Sequence, residues 1–200
     1  MTKIETIAAL EALYDQAVPS SISKVATKLT PKYRQWIEAA KFTIIATVGP
    51  EGTDASPRGD DGCVVRLAGD NTIHLPDWRG NNRLDTLRNI VRDGRVSLMF
   101  MVPGSKNVVR VNGDAILSAD PDLTGSFEKN GKTPKTVIVI RVRELYFQCA
   151  KAIMRSGLWD GVDDSAKVPT AGDFLKEVTA GFDGQAYDDG YAESAKARMW

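Results

Sequence analysis

A single histidine, His74, is all the imidazole this 200-residue chain has, and its two cysteines, Cys63 and Cys149, lie far apart with no CxxC pair. Metal centres need several clustered imidazoles, thiolates or carboxylates, and no acidic cluster here is spaced to replace the missing histidines. An excess of one charge is also missing, because 26 Lys+Arg balance 26 Asp+Glu. No global field therefore recruits nucleic acid or an anionic membrane surface. Long apolar runs are absent too. The longest, such as VSLMFMV at 96–102, are far too short to span a bilayer. The opening MTKIETIAALEALYDQ sets acids inside its apolar pattern, where a signal peptide has an uninterrupted core. What is left is a cytoplasmic globular protein with free thiols, 42% apolar and 26% charged, large enough for a sizeable core. With no repeats and no separating linker, residues 1–200 are expected to form one domain.

Within 1–40 the patterning is helical. Ile4, Ile7, Ala8, Leu10 and Leu13 or Tyr14 share a helical face, and PSSIS at 19–23 breaks the pattern. Thr30-Pro31 then reads as a cap followed by proline at the first helical position, opening KYRQWIEAAK with Trp36 and Ile37 inward. From Phe42 the period changes to two. FTIIATV, the turn GPEG, a strand near Asp54–Pro57, CVVRL, TIHLP, VSLMFMV, VVRVNGDAIL and TVIVIRVRELYF follow in order. Val109, Val111, Gly113, Ala115 and Leu117 share one strand face, while Arg110, Asn112 and Asp114 share the other. Six or so antiparallel strands, hairpin-connected and interrupted by a single helix near 82–92, predict an α+β fold that is mainly antiparallel β, a small barrel or sandwich over 41–150. The tail, 151–200, is acidic and Gly-rich, with helical patches GDFLKEVTAGF and YAESAKARMW.

The stretch 54–92 carries the chemistry. Arg58, Arg79 and Arg83 sit among Gly, Asn, Pro and Asp, and NNRLDTLRNIVR begins a helix at two asparagines. Guanidinium groups beside a helix start favour an anion, because free N–H groups and the helix dipole both attract negative charge. The pattern reads as a phosphate clamp. His74, between Ile73 and Leu75, reads as structural, and Cys149 as buried filler at a strand end.

SPRGD (56–60), LPDWRGNNRLDTLRNI (75–90), VPG (102–104), VRVNGDA (109–115) and CAKAIMRSGLW (149–159) together resemble the pyridoxamine 5′-phosphate oxidase-related flavoproteins, more narrowly the PPOX-class FMN-dependent enzymes. The resemblance covers roughly residues 10–160 and implies the FMN-binding split barrel with flanking helices, a homodimer holding FMN in clefts between subunits. It implies that Arg58 reaches the flavin phosphate with Ser56 and Pro57 beside the ring. It sets Leu75, Pro76 and Asp77 along the isoalloxazine, and Asn82 and Arg83 at the phosphate. The partner subunit would bring Arg110, Lys151, Arg155 and Trp159 to the cleft. The implied activity is FMN-dependent oxidation or reduction of a small molecule, with NAD(P)H as a candidate hydride donor. Alternatives on the same fold are a deazaflavin-dependent reductase and a non-catalytic flavin carrier or sensor. Where members often carry histidine before CAKA, this chain has Gln148, which donates no proton near neutral pH.

Overall fold

The computed structural model describes residues 2–200. In chain order the elements are α1 (Ile7–Glu11), α2 (Pro19–Ser23), α3 (Pro31–Glu38), β1 (Phe42–Gly49), β2 (Gly52–Gly59), β3 (Arg66–Ala68) and β4 (Thr72–Asp77). They continue with α4 (Asp85–Arg92), β5 (Arg95–Met101), β6 (Val108–Ser118), α5 (Pro121–Gly125), β7 (Thr136–Gln148), α6 (Lys151–Ser156), α7 (Ala171–Val178) and α8 (Gly184–Arg198). These seven strands form one antiparallel sheet in the order β2-β1-β5-β6-β7-β4-β3.

Alternation explains which face is hidden. Thr43, Ile45 and Thr47 of β1 point inward with Val96, Leu98 and Phe100 of β5, and with Val109, Val111 and Ala115 of β6. Ile138 and Ile140 of β7 and Ile73 and Leu75 of β4 complete the core with Ile37 from α3. β2 and β4 are separated by four strands in the sheet, yet Arg58 of β2 and Asp77 of β4 lie 3.5 Å apart. The sheet has therefore rolled until its edges meet through side chains, with no strand ladder between β2 and β4. The result is an open barrel of mixed helix and antiparallel strand.

The roll has a local cause between β6 and β7. Asn112 pairs with Glu144 but Gly113 pairs with Val142, so Arg143 is an extra residue bulged out of β7. A bulge bends its strand and sharpens the twist. Beyond it the inward phase of β7 passes from Ile138, Ile140 and Val142 to Leu145. Leu145 then exchanges backbone bonds of 2.9 and 2.8 Å with Ala26, tying the segment between α2 and α3 to the barrel wall. Opposite the bulge, a Cβ on Gly113 would run into the Arg141 carbonyl, which is backbone and cannot swing aside.

α4 closes one end. Its buried Asn89 donates to Thr47 Oγ1 at 3.2 Å, and Thr86 Oγ1 donates to the Asp54 carboxylate of β2. The strands expected from alternation and the GPEG hairpin are present, with β2 extending to Gly59.

Three expectations need correction. CVVRL is a strand only from Arg66. Val64 and Val65 are buried in a non-strand connection whose Val64 N–H donates to Ala40 O at 3.0 Å, so the apolar run marked burial and not pairing. The amphipathic 4–14 segment yields only a five-residue helix capped by Thr6, with Ile7, Leu10 and Leu13 exposed, because so short a helix without a packed face is marginal. PSSIS, expected as a break, forms α2, which Pro19 opens at its first position.

Replacing Gly113 with alanine is expected to destabilise the fold by about 1–3 kcal/mol, the scale of forced overpacking. Chemical denaturation should show a lower midpoint at an unchanged slope. An unaltered midpoint would mean the β6–β7 crossing tolerates a methyl group.

Candidate functional site

The barrel's split opens into a cleft of about 1120 Å³. Asp54, Ser56 and Arg58 of β2 form one wall and Asp77 with the 78–84 loop the other; the first turn of α4, the stretch Lys132–Thr136 and Trp200 complete the rim. The three β2 side chains enter because they pair in register with inward Thr47, Ile45 and Thr43. Asp77 enters because it continues the inward phase of Ile73 and Leu75.

Within the cleft Arg58 donates to Ser56 Oγ at 3.0 Å and faces Asp77. Both Arg58 and Asp77 are largely shielded from water. Burial pushes the Asp77 carboxyl above its ordinary value, and the Arg58 guanidinium only partly offsets that push. For the Asp77 carboxyl, desolvation outweighs the attraction of Arg58. Five buried side-chain polar atoms have no hydrogen-bond partner among the described residues; Trp36 Nε1 and Asn71 Oδ1 lie elsewhere, while Arg58 Nε, Trp78 Nε1 and Thr136 Oγ1 belong to residues that line the cleft. Buried donors left unmade cost on the order of 1–3 kcal/mol each, so their gathering in one concavity points to a ligand bearing acceptors.

The loop leading to α4 is wound tightly. Asn81 Oδ1 accepts the Arg83 N–H at 3.0 Å, and Asn82 and Leu84 hold φ of 59° and 64°. Two non-glycine residues in the left-handed region within three positions is the kind of strain that collects at binding loops. The helix starts only at Asp85, three residues later than the asparagines suggest, and its cap, Leu84, supplies no side-chain bond. Arg83 is exposed and pairs with Asp85 at 2.8 Å.

Of the residues expected at the site, Ser56, Arg58, Asp77, Asn82 and Arg83 line this one cleft. Leu75 and Pro76 are buried in the wall behind it, and Pro57 lies exposed on the outer face of β2. Arg110, Lys151, Arg155 and Trp159 do not line it. Arg110 lies over the Tyr146 ring at 5.4 Å, Lys151 and Arg155 are exposed on α6, and Trp159 Nε1 donates to Ser105 O at 2.8 Å. Trp78, Thr136, Lys132, Lys135 and Trp200 were not picked out from sequence. Trp78 directly follows Asp77 and was legible as a neighbour; Trp200 had no local signal.

The Cys63 thiol donates to Val65 O at 2.9 Å, and partial burial of the sulfur pushes its pKa up, away from the thiolate. Cys149, expected to be buried, is exposed just past the end of β7, where the strand leaves the core. His74 is held toward its neutral form by burial and by nearby Arg66. Among the described residues no group of three or more His, Cys, Asp or Glu is placed to hold a metal ion, and no helix is long and apolar enough to cross a membrane.

The protein is thus an open antiparallel barrel with a polar, partly cationic cleft at its split. The sequence model of the pyridoxamine 5′-phosphate oxidase family matches residues 29–149, more than half the chain. The chain belongs to this family. No curated protein matches it. Among solved structures it is similar to HupZ from Group A Streptococcus, at 20% identity, 58% coverage of this chain, 90% of that one and TM-score 0.47. It is also similar to General Stress Protein 26 from Bacillus anthracis, at 17% identity, coverages of 57% and 88% and TM-score 0.44. A third, described as an F420 reductase, shares 19% identity, with coverages of 60% and 98% and TM-score 0.42.

The Asp77 result carries a pH dependence. Its native carboxyl binds a proton more tightly than the unfolded one, whose ordinary value is 3.8. This group's contribution to stability is therefore present at low pH and is lost as pH rises from that value through the raised native one. Asp77→Asn should remove this loss, giving a protein at pH 7 at least as stable as the parent and a flatter stability profile on the acid side. Thermal unfolding across pH checks this; a marked drop in Tm at pH 7 would show that the ion pair repays its desolvation.

Proposed function

We propose that the protein is an FMN-dependent oxidoreductase acting on a small molecule. The observation that carries this reading is the gathering of Arg58, Trp78 and Thr136, each with an unpartnered buried polar atom, in a single cleft of the family's barrel. The donor set fits the group. Arg58 would hold the phosphate, with Asn82, Arg83 and the strained loop beside it, because a phosphate dianion favours guanidinium donors in a shielded setting. Trp78 Nε1–H and Thr136 Oγ1 would serve the polar edge of the ring, with Leu75 and Pro76 as the apolar wall behind. Bound FMN supplies the two-electron chemistry. The chain's own part is to bind, orient and exclude water. Asp77, whose pKa burial raises, holds a proton more readily than an exposed carboxylate.

In this reading the protein works as a cytoplasmic homodimer. The outer sheet face carries a groove of about 900 Å³ lined by Ala46, Val48, Ala55, Ser97 and Asn112 among others, a shape that a second copy can cover. Arg110, Lys151, Arg155 and Trp159, all outside the protomer's own cleft, are then the residues brought to the partner's. Exposed, unpaired Cys63 and Cys149 suit a reducing compartment.

The test is the visible absorption of purified protein before and after adding FMN, with a titration of variants. Arg58→Ala is expected to weaken FMN binding by about 1.5–3 kcal/mol, the scale of a hydrogen bond to a charged group. Arg83→Ala should cost less, under about 1 kcal/mol, because its guanidinium is exposed and already paired. Protein that stays colourless in FMN overturns the proposal. Light scattering should return twice the mass of one chain.

A further inference from the structure

Trp200 lies two residues beyond α8 and far from the cleft in sequence, yet it lines it. Its indole meets Trp78 edge to face, with ring centroids 5.4 Å apart and planes at 84°. On its other side the Lys129 ammonium sits 3.7 Å from a Trp200 ring centroid. Lys129 is not free to wander, for it is paired with Asp60 at 2.8 Å and also with Asp61. Trp200 is thus held by an aromatic neighbour inside the cleft and a fixed cation at its rim.

Two features make this a removable cover and not part of the permanent wall. α7 and α8 pack chiefly on each other, Gly172 and Gly184 giving the close approach, so Trp200 is carried on a unit that is only lightly joined to the barrel. More telling is Trp78 itself, whose Nε1–H is buried and donates to nothing among the described residues. With Trp200 in place a good donor is wasted.

We propose that Trp200 is a displaceable lid over a ring-binding subsite on Trp78. The ligand class is a planar heteroaromatic that bears carbonyl oxygens, such as an isoalloxazine. Such a ring takes the position of Trp200 against Trp78 and accepts the Trp78 Nε1–H. This rests on the flavin reading above and adds to it which residues meet the ring. The closed lid is held by one edge-to-face contact and one cation–π contact. Each is worth no more than roughly tenfold in an equilibrium at a partly exposed site, so a ligand that gains a hydrogen bond can open it.

The experiment measures affinity for FMN and for lumiflavin, which has the ring without the phosphate, in the full chain. Trp200→Ala and Lys129→Met should each tighten both ligands by roughly 3- to 10-fold, since each removes one anchor of the lid. Trp78→Phe keeps an aromatic face but deletes the donor, and should weaken both ligands. Arg58→Ala should weaken FMN alone. A second readout needs no ligand. The coupled indoles should give an exciton couplet in far-ultraviolet circular dichroism that disappears in Trp200→Phe and shrinks in Lys129→Met. Unchanged or weaker lumiflavin binding in Trp200→Ala, with FMN still bound by the parent, overturns displacement while sparing the flavin reading. Binding of no flavin by any variant overturns both, and a missing couplet in the ligand-free parent overturns the closed lid itself.

Discussion

The structure depends on hiding the inner face of one seven-stranded sheet, and with few of its helices packed on that sheet the sheet has to cover itself. Rolling achieves this. Phe100, Leu98 and Val111 on one side of the roll come to face Ile73, Leu75 and Ile138 on the other, forming a core within a single layer. The bulge at Arg143 and the missing side chain at Gly113 allow β7 to cross β6 closely enough for the roll to begin. The same roll decides where the cleft is. Because β2 and β4 approach without pairing, the gap between them is lined by side chains and not by a backbone ladder, and Asp54, Ser56, Arg58 and Asp77 occupy it by strand phase alone. Fold and site thus share one geometric cause.

At the split two effects compete. A guanidinium and a carboxylate 3.5 Å apart attract, but both are drawn away from water, and the raised pKa of Asp77 shows that for the carboxylate the desolvation is larger. The Arg58 guanidinium stands at a place largely shielded from bulk water. Arg83 differs in kind. Exposed and joined to Asp85, it sits in screening solvent. Two arginines that look equivalent in sequence are separated by their surroundings.

Local patterning made much of the barrel legible. Alternation in Val109–Leu117 gave β6 with its two faces separated, the β-rich run 136–147 gave β7 without its bulge, the glycines around Pro50 gave the β1–β2 hairpin, and Thr30-Pro31 gave α3. What failed was decided by distant contacts. Val64 and Val65 look like strand residues because they are buried, but burial comes from packing on the α3 side of the core and not from a ladder. Ile7, Leu10 and Leu13 look like a buried helical face, but no partner among the described residues covers them. Cys149 looks like filler at an apolar strand end, but the end has already left the core. At the site, the arginine-rich stretch 54–92 marked one wall and the loop. The opposite rim, from Lys132 to Thr136, and Trp200 were invisible, because only the closure of the barrel and the return of α8 bring them within reach.

That contrast bears on how such a cleft acquires specificity. The family match ends at residue 149, so the β2 and β4 walls belong to the shared frame while Trp200 lies outside it. A frame built by strand phase changes slowly, since moving one residue flips every side chain behind it. A residue carried in on a separate helical pair is under no such constraint. Changing it alters what covers Trp78 without disturbing the barrel, because α7 and α8 pack chiefly on each other. The Arg58 side of the cleft is therefore tied to the fold, and what covers Trp78 is set by whatever the appended helices present there.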